Sequence, residues 1–152
     1  MSNNDSFTAG TTYRDILECI SEALIFADPD GVIRLWNPGA EFIFGYTSAE
    51  AIGQSLDLII PEHLRKAHRD GFNRAISRGA TAYGRRSVIT RSLHKSGQQL
   101  YVDMSFAVVN DRAGKTIGAA AIARNATERY LEEKNLRRQL ADLTAKRNVP
   151  EP

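Results

Sequence analysis

The chain has a single cysteine, Cys19, so no disulfide forms within it and its fold has to be held by packing. It has no apolar run near the ~18 residues that cross a bilayer, and no N-terminal apolar segment of the kind that directs secretion. It has little excess charge: twenty Lys and Arg against eighteen Asp and Glu leave +2, too small to point to nucleic acid. No phosphate-cradling glycine loop, nucleophile–base pair or internal repeat stands out, so no catalytic motif is present and a non-enzymatic role is expected. Of the three histidines, His63 and His68 lie five apart, a poor spacing for two ligands on one helix face, which argues against zinc. These absences together favour the cytoplasm, with neither nucleic acid nor membrane as partner.

What is present suits one domain with extensions: 152 residues, 42% of them apolar, are enough for a core. The most informative stretch runs from Asn37 to Gly53. Asn37 reads as a helix N-cap and Pro38 fits the first helical position. Gly45 ends that short helix, Ser48 caps a second, and Gly53 closes it. Helices this short are not stable alone and need a sheet to hold them.

Around this stretch, residues 1–10 are polar and expected to be disordered, and 11–22 form a leader helix with Ile16, Leu17 and Ile20 on one face. Ala23–Asp28 and Val32–Trp36 read as a hairpin across the Asp28-Pro29-Asp30-Gly31 turn. Pro61 starts a longer helix that ends near Gly79. Its stripe of Leu64, Ala67, His68, Gly71, Phe72, Ala75 and Ile76 faces inward, opposite Arg65, Lys66, Arg69, Asp70, Asn73 and Arg74. Arg85–Leu93, Gln98–Val109 and the small-residue run Thr116–Arg124 complete five strands. The order implies an α+β fold, a five-stranded antiparallel sheet with helices on one face. The last segment, 126–146, is a helix with Leu136, Leu140 and Leu143 at coiled-coil spacing, followed by a tail at 147–152. Asn125 and Glu128 have the spacing of a capping box.

Residues 13–130 resemble the PAS sensor domains. The resemblance is carried by the Asp28–Gly31 turn, Asn37-Pro38, Phe44-Gly45-Tyr46, Gly53, Pro61-Glu62, Lys95-Ser96-Gly97 and the run Arg124-Asn125-Ala126-Thr127-Glu128-Arg129. That last run is similar to the family's Asp-Ile-Thr-Glu-Arg signature, with Asn125 in place of the Asp. The resemblance implies a PAS core at 23–125 with a cavity between the long helix and the sheet. A signal would leave through the junction Asn125, Thr127 and Glu128, and the output partner or effector is left open. Homodimer contacts fall to Ile16, Leu17, Ile20, Leu136, Leu140 and Leu143.

The cavity's chemistry has to be argued from its residues. In flavin photoreceptors of this class a reactive cysteine stands where this chain has Leu56, so a cysteinyl-flavin adduct is excluded by the resemblance. Cys19 reads instead as a small, partly buried apolar residue. Haem b is the serious cofactor candidate. Haem-binding PAS sensors place the proximal His seven residues after the Pro of a Pro-Glu start, which is His68 counted from Pro61. Leu64 and Phe72 flank it. Val88, which stands where an oxygen-sensing kinase has its distal Arg, joins Ile89, Met104 and Phe106 as the distal candidates. Such an apolar distal side suits carbon monoxide or nitric oxide better than stably held oxygen. Three readings therefore stand together: an interaction module with no ligand or an unnamed one, a haem-based gas sensor, and a regulatory piece of a larger enzyme. His63 and His94 read as solvated, Trp36 as core, Asp103 as outward and without a role, and Arg65, Lys66, Arg69, Arg74 and Arg78 as a basic strip.

Overall fold

Residues 9–147 are described in the computed structural model. Of residues 1–10, expected to be disordered, 1–8 lie outside them, as does most of the tail at 147–152, whereas Ala9 and Gly10 already belong to the first helix. In chain order the elements are α1 (Ala9–Cys19), β1 (Ala23–Ala27), β2 (Ile33–Trp36), α2 (Pro38–Phe44) and α3 (Ser48–Ala51). Two 3-10 turns (Leu56–Ile59 and Glu62–Leu64) lead to α4 (Arg65–Arg78), then β3 (Val88–Leu93), β4 (Gln99–Asn110), β5 (Thr116–Asn125) and α5 (Thr127–Arg147).

The five strands form one antiparallel sheet in the order β2-β1-β5-β4-β3. The helices between β2 and β3 therefore carry the chain across one face, from one edge of the sheet to the other. β5, last of the strands, fills the centre and pairs with β1 on one side and β4 on the other. The core lies under α2 and α3, where Phe44, Ile33 and Val102 are wholly buried. Trp36 belongs to this core: its ring centroid stands 5.4 Å from that of Phe44, and its Nε1 donates to the Tyr46 carbonyl at 2.9 Å.

Asn37 explains why the short helices sit where they do. Its Oδ1 accepts from Ala40 N (3.0 Å) and Leu24 N (2.7 Å), and its Nδ2 donates to the carbonyls of Leu17 (3.1 Å) and Glu22 (3.0 Å). One buried amide thus uses its full bonding capacity to join the ends of α1, β1 and α2. Gly39 lets α2 come this close, since a Cβ there would lie 2.2 Å from the Glu22 carbonyl oxygen. Gly45 stands at φ +80° in the left-handed region that glycine favours, ending α2 against the His94 ring.

Several boundaries differ from the sequence reading. The cap of α3 is Thr47, not Ser48: its side chain and that of Glu50 close a reciprocal box, and Ser48 is already helical. α1 stops at Cys19, with Ile20 N donating to Ile16 O at 3.1 Å. Cys19 is exposed rather than partly buried, because it ends the helix away from the core. β3 begins at Val88, opposite Met104. Arg85–Ser87, expected as strand, remain in the connection from α4.

Candidate functional site

The inward stripe of α4 roofs a hollow over the sheet. Its inner compartment encloses 330 Å³ and an adjoining outer one 250 Å³, together within the range of small-molecule pockets. Space remains over the floor because β5 contributes Ala119 and Ala121 there, whose short side chains leave it unfilled, with Ala120 between them. Five sequence-derived candidates meet in the inner lining: Leu64, His68, Phe72, Met104 and Phe106. Two distal candidates do not. Ile89 alternates to the outer face of the sheet and is 41% exposed, and Val88, though paired with Met104, stands at the strand end outside both linings.

Other lining residues escaped the sequence reading. Ile25, Ile59 and Ile60 were legible only as apolar. Thr90 carries a hydroxyl into the hollow and donates to Met104 Sδ at 3.3 Å. Tyr83, from the irregular segment before β3, reaches back so that its ring centroid stands 5.6 Å from that of Phe106. Leu56, placed where a photoreceptor thiol would stand, also lines the hollow.

His68 is the residue of the inner lining whose titration burial shifts. Its ring lies 6.4 Å from that of Phe72, centroid to centroid. Burial holds its pKa below the ordinary 6.5, against an opposing pull from the nearby Asp57 carboxylate. Two buried side-chain atoms have no hydrogen-bond partner among the described residues, His68 Nδ1 and Asp57 Oδ1. No group of three or more His, Cys, Asp or Glu is placed to hold a metal there. Any metal would have to arrive with most of its own ligands. A single imidazole in an apolar hollow, with one ring nitrogen unpartnered, fits that requirement for a haem.

The junction at the other end of β5 is built more tightly than the sequence suggested. Thr127 Oγ1 accepts from Tyr101 N at 3.0 Å and donates to Tyr101 O at 3.3 Å, while Ala126 N donates to the same carbonyl at 2.8 Å. The Tyr101 and Tyr130 rings stack with centroids 4.0 Å apart. Asp103, expected to have no role, pairs with Arg129 at 3.2 Å, and Arg124 pairs with Glu22 at 2.9 Å. The Asn125/Glu128 box does not form. α5 starts at Thr127, so Asn125 lies before the cap position and instead accepts from Thr127 N at 3.0 Å. Glu128 sits in the first turn, where its charge still complements the helix dipole.

The remaining candidates lie on the surface or pack away from the hollow. His63 is exposed, whereas His94 is half-buried, with Nδ1 accepting from Ser96 N at 3.1 Å. In α1, Ile16 is 51% exposed while Leu17 and Ile20 are half-buried; in α5, Leu136, Leu140 and Leu143 are all well exposed.

A ligand-sized hollow roofed by one helix, over a sheet whose central strand runs into an exposed helix, defines a sensor-type α+β module. A family model described as PAS fold matches residues 17–131, and the chain belongs to that family, whose typical role is signal sensing. An uncharacterised protein of Azorhizobium caulinodans is 30% identical over 138 residues, covering 90% of this chain and 18% of that protein. Sensor protein FixL of Bradyrhizobium diazoefficiens is 41% identical over 61 residues, 40% of this chain and 12% of its own length. The chain thus spans less than a fifth of either relative. The crystal structure of a PAS domain from Colwellia psychrerythraea shares the fold with a TM-score of 0.70 at 21% identity, covering 80% of this chain and 99% of that one. No helix among the described residues is long and apolar enough to cross a membrane.

Proposed function

We propose that this chain is a cytoplasmic, non-catalytic sensing and dimerisation module, which reports occupancy of its hollow through α5 to a partner or effector. The observation that carries this reading is the double duty of β5. Ala119–Ala121 floor the hollow, and a few residues on the same strand enters the Thr127–Tyr101 latch. A strand hydrogen-bonded on both sides moves with its neighbours, so a ligand that shifts the floor also shifts the base of α5. The exposed leucines 136, 140 and 143 then pair with those of a second copy, whose register or pitch carries the output.

Filling the hollow tests the route. Ala121→Phe is expected to change amide hydrogen exchange in Tyr101–Tyr130 as well as in α4. A well-folded variant that alters α4 and leaves the junction untouched would refute transmission through β5.

One observation favours haem as the ligand: His68 lines an apolar hollow, and its Nδ1 is buried with no hydrogen-bond partner among the described residues. His68 would hold the iron as the proximal ligand, with Leu64 and Phe72 beside it and Met104 and Phe106 across the hollow. Haem would supply an iron able to bind a diatomic gas. Added hemin is expected to give a sharp Soret band in the native chain and none in His68→Ala. A band of equal strength in both assigns the binding elsewhere.

A further inference from the structure

We propose that the hollow accepts an amphiphilic anion, an apolar-bodied carboxylic acid of medium chain length or a comparable aromatic one, whose head is held at the mouth by Arg74 and Arg78. The proposal rests on the ligand-sensing reading above and names the chemical class of ligand.

The two compartments differ in character. The inner one is walled by aliphatic and aromatic side chains, and the outer one opens between α4 and the segment leading to β3. His68, Phe72, Tyr83 and Phe106 border both and form the neck between them. Neither lining contains an Asp or a Glu. The charged residues bordering the outer compartment are Arg74 and Arg78, one helical turn apart on α4, and Arg91 borders the inner one.

The other cations on α4 are already engaged. Arg65 Nε donates to the Ile60 carbonyl at 3.1 Å, Lys66 pairs with Asp70 at 2.7 Å, and Arg69 faces Asp57 at 3.9 Å. Arg74 and Arg78 make no ion pair or hydrogen bond among the described residues, and Asp70, the carboxylate whose field Arg74 shares, is the one held by Lys66. The Arg74 guanidinium also bends back along the helix. Its Nη2 lies 3.8 Å from where a Cβ on Gly71 would stand, which places the guanidinium beside Gly71, itself part of the outer lining.

Two arginines without an ion pair at the border of an apolar hollow repel a cation and bond a neutral head more weakly than an anionic one. A carboxylate meets their planar forks with two parallel hydrogen bonds, while its hydrocarbon part leaves water for the inner compartment. Head and body are thus selected by different parts of one site.

Calorimetric titration of the purified chain with octanoate and with 1-octanol separates the two, since they share a chain and differ in charge. Octanoate is expected to bind at least about tenfold more tightly. The double variant Arg74→Gln/Arg78→Gln is expected to lower octanoate to the level of octanol, and added salt to weaken octanoate alone. Ala121→Leu, which narrows the inner compartment, should weaken both; circular dichroism checks that each variant is folded. Equal affinity for the two probes in the native chain would overturn the anionic head yet leave an occupied hollow, so the sensing reading would stand. A preference for octanoate that survives the double variant, or no binding of either probe, would also overturn the proposal, whereas the sensing reading is judged separately by hydrogen exchange at the junction.

Discussion

At the scale of single residues, His68 shows how burial turns an ordinary side chain into a conditional one. Its folded-state pKa lies below 6.5 because burial disfavours the charged ring, and Asp57 only partly offsets this. Below pH 6.5 the unfolded chain therefore takes up a proton that the folded chain resists, and stability declines as pH falls. The carboxylates act lower on the scale: a hydrogen bond from Lys95 holds Glu50 beneath its usual 4.5, so its contribution is lost only under more acid conditions. Denaturant midpoints measured between pH 7.5 and 5 are expected to fall in the native chain and to stay flatter in His68→Leu. The inward direction of His68 was legible, because a helical stripe fixes which way a side chain points. The orphaned Nδ1 and the Asp57 carboxylate beside it were not, since Asp57 comes from a 3-10 turn whose path only the packed structure defines.

At the scale of elements, short-range chemistry spoke clearly wherever a residue acts on its own neighbours. The Asn37-Pro38 start, the Gly45 stop and the strand–turn–strand around Asp28 all follow from local caps and turns. What stayed hidden was long-range. Nothing in the sequence says that the Asn37 amide also reaches Leu17, Glu22 and Leu24, or that Asp103 waits for Arg129. For the same reason the outer-face direction of Ile89 was missed: strand alternation can be counted from either parity until a partner strand sets the register. Asn37→Ala removes a cap and strands buried donors and acceptors in three elements. Chemical denaturation is expected to show a loss on the order of 3 kcal/mol, with β-structure retained. A loss below about 1 kcal/mol, the value of a simple surface cap, would show that the other bonds are replaced by water.

At the scale of the whole molecule, α5 has no buried residue, and its packing on the sheet is confined to its first turns. A 21-residue helix carrying leucines that are 64–66% exposed gains little from its own chain. In the proposed dimer, pairing with a second copy would supply the missing burial. Leu140→Lys places a charge in the middle of that seam, and analytical ultracentrifugation is expected to show monomers where the native chain gives dimers. An unchanged dimer would move the interface to α1, where Ile16 is half exposed, or to the sheet.

The position of β5 also governs how the chain comes together. Until residues 116–125 emerge, the two hairpin halves made earlier, β1–β2 and β3–β4, each carry a raw backbone edge with nothing between them. The last strand is the keystone that closes this gap. A nascent or clipped chain ending before it exposes two sticky rims at once and invites aggregation.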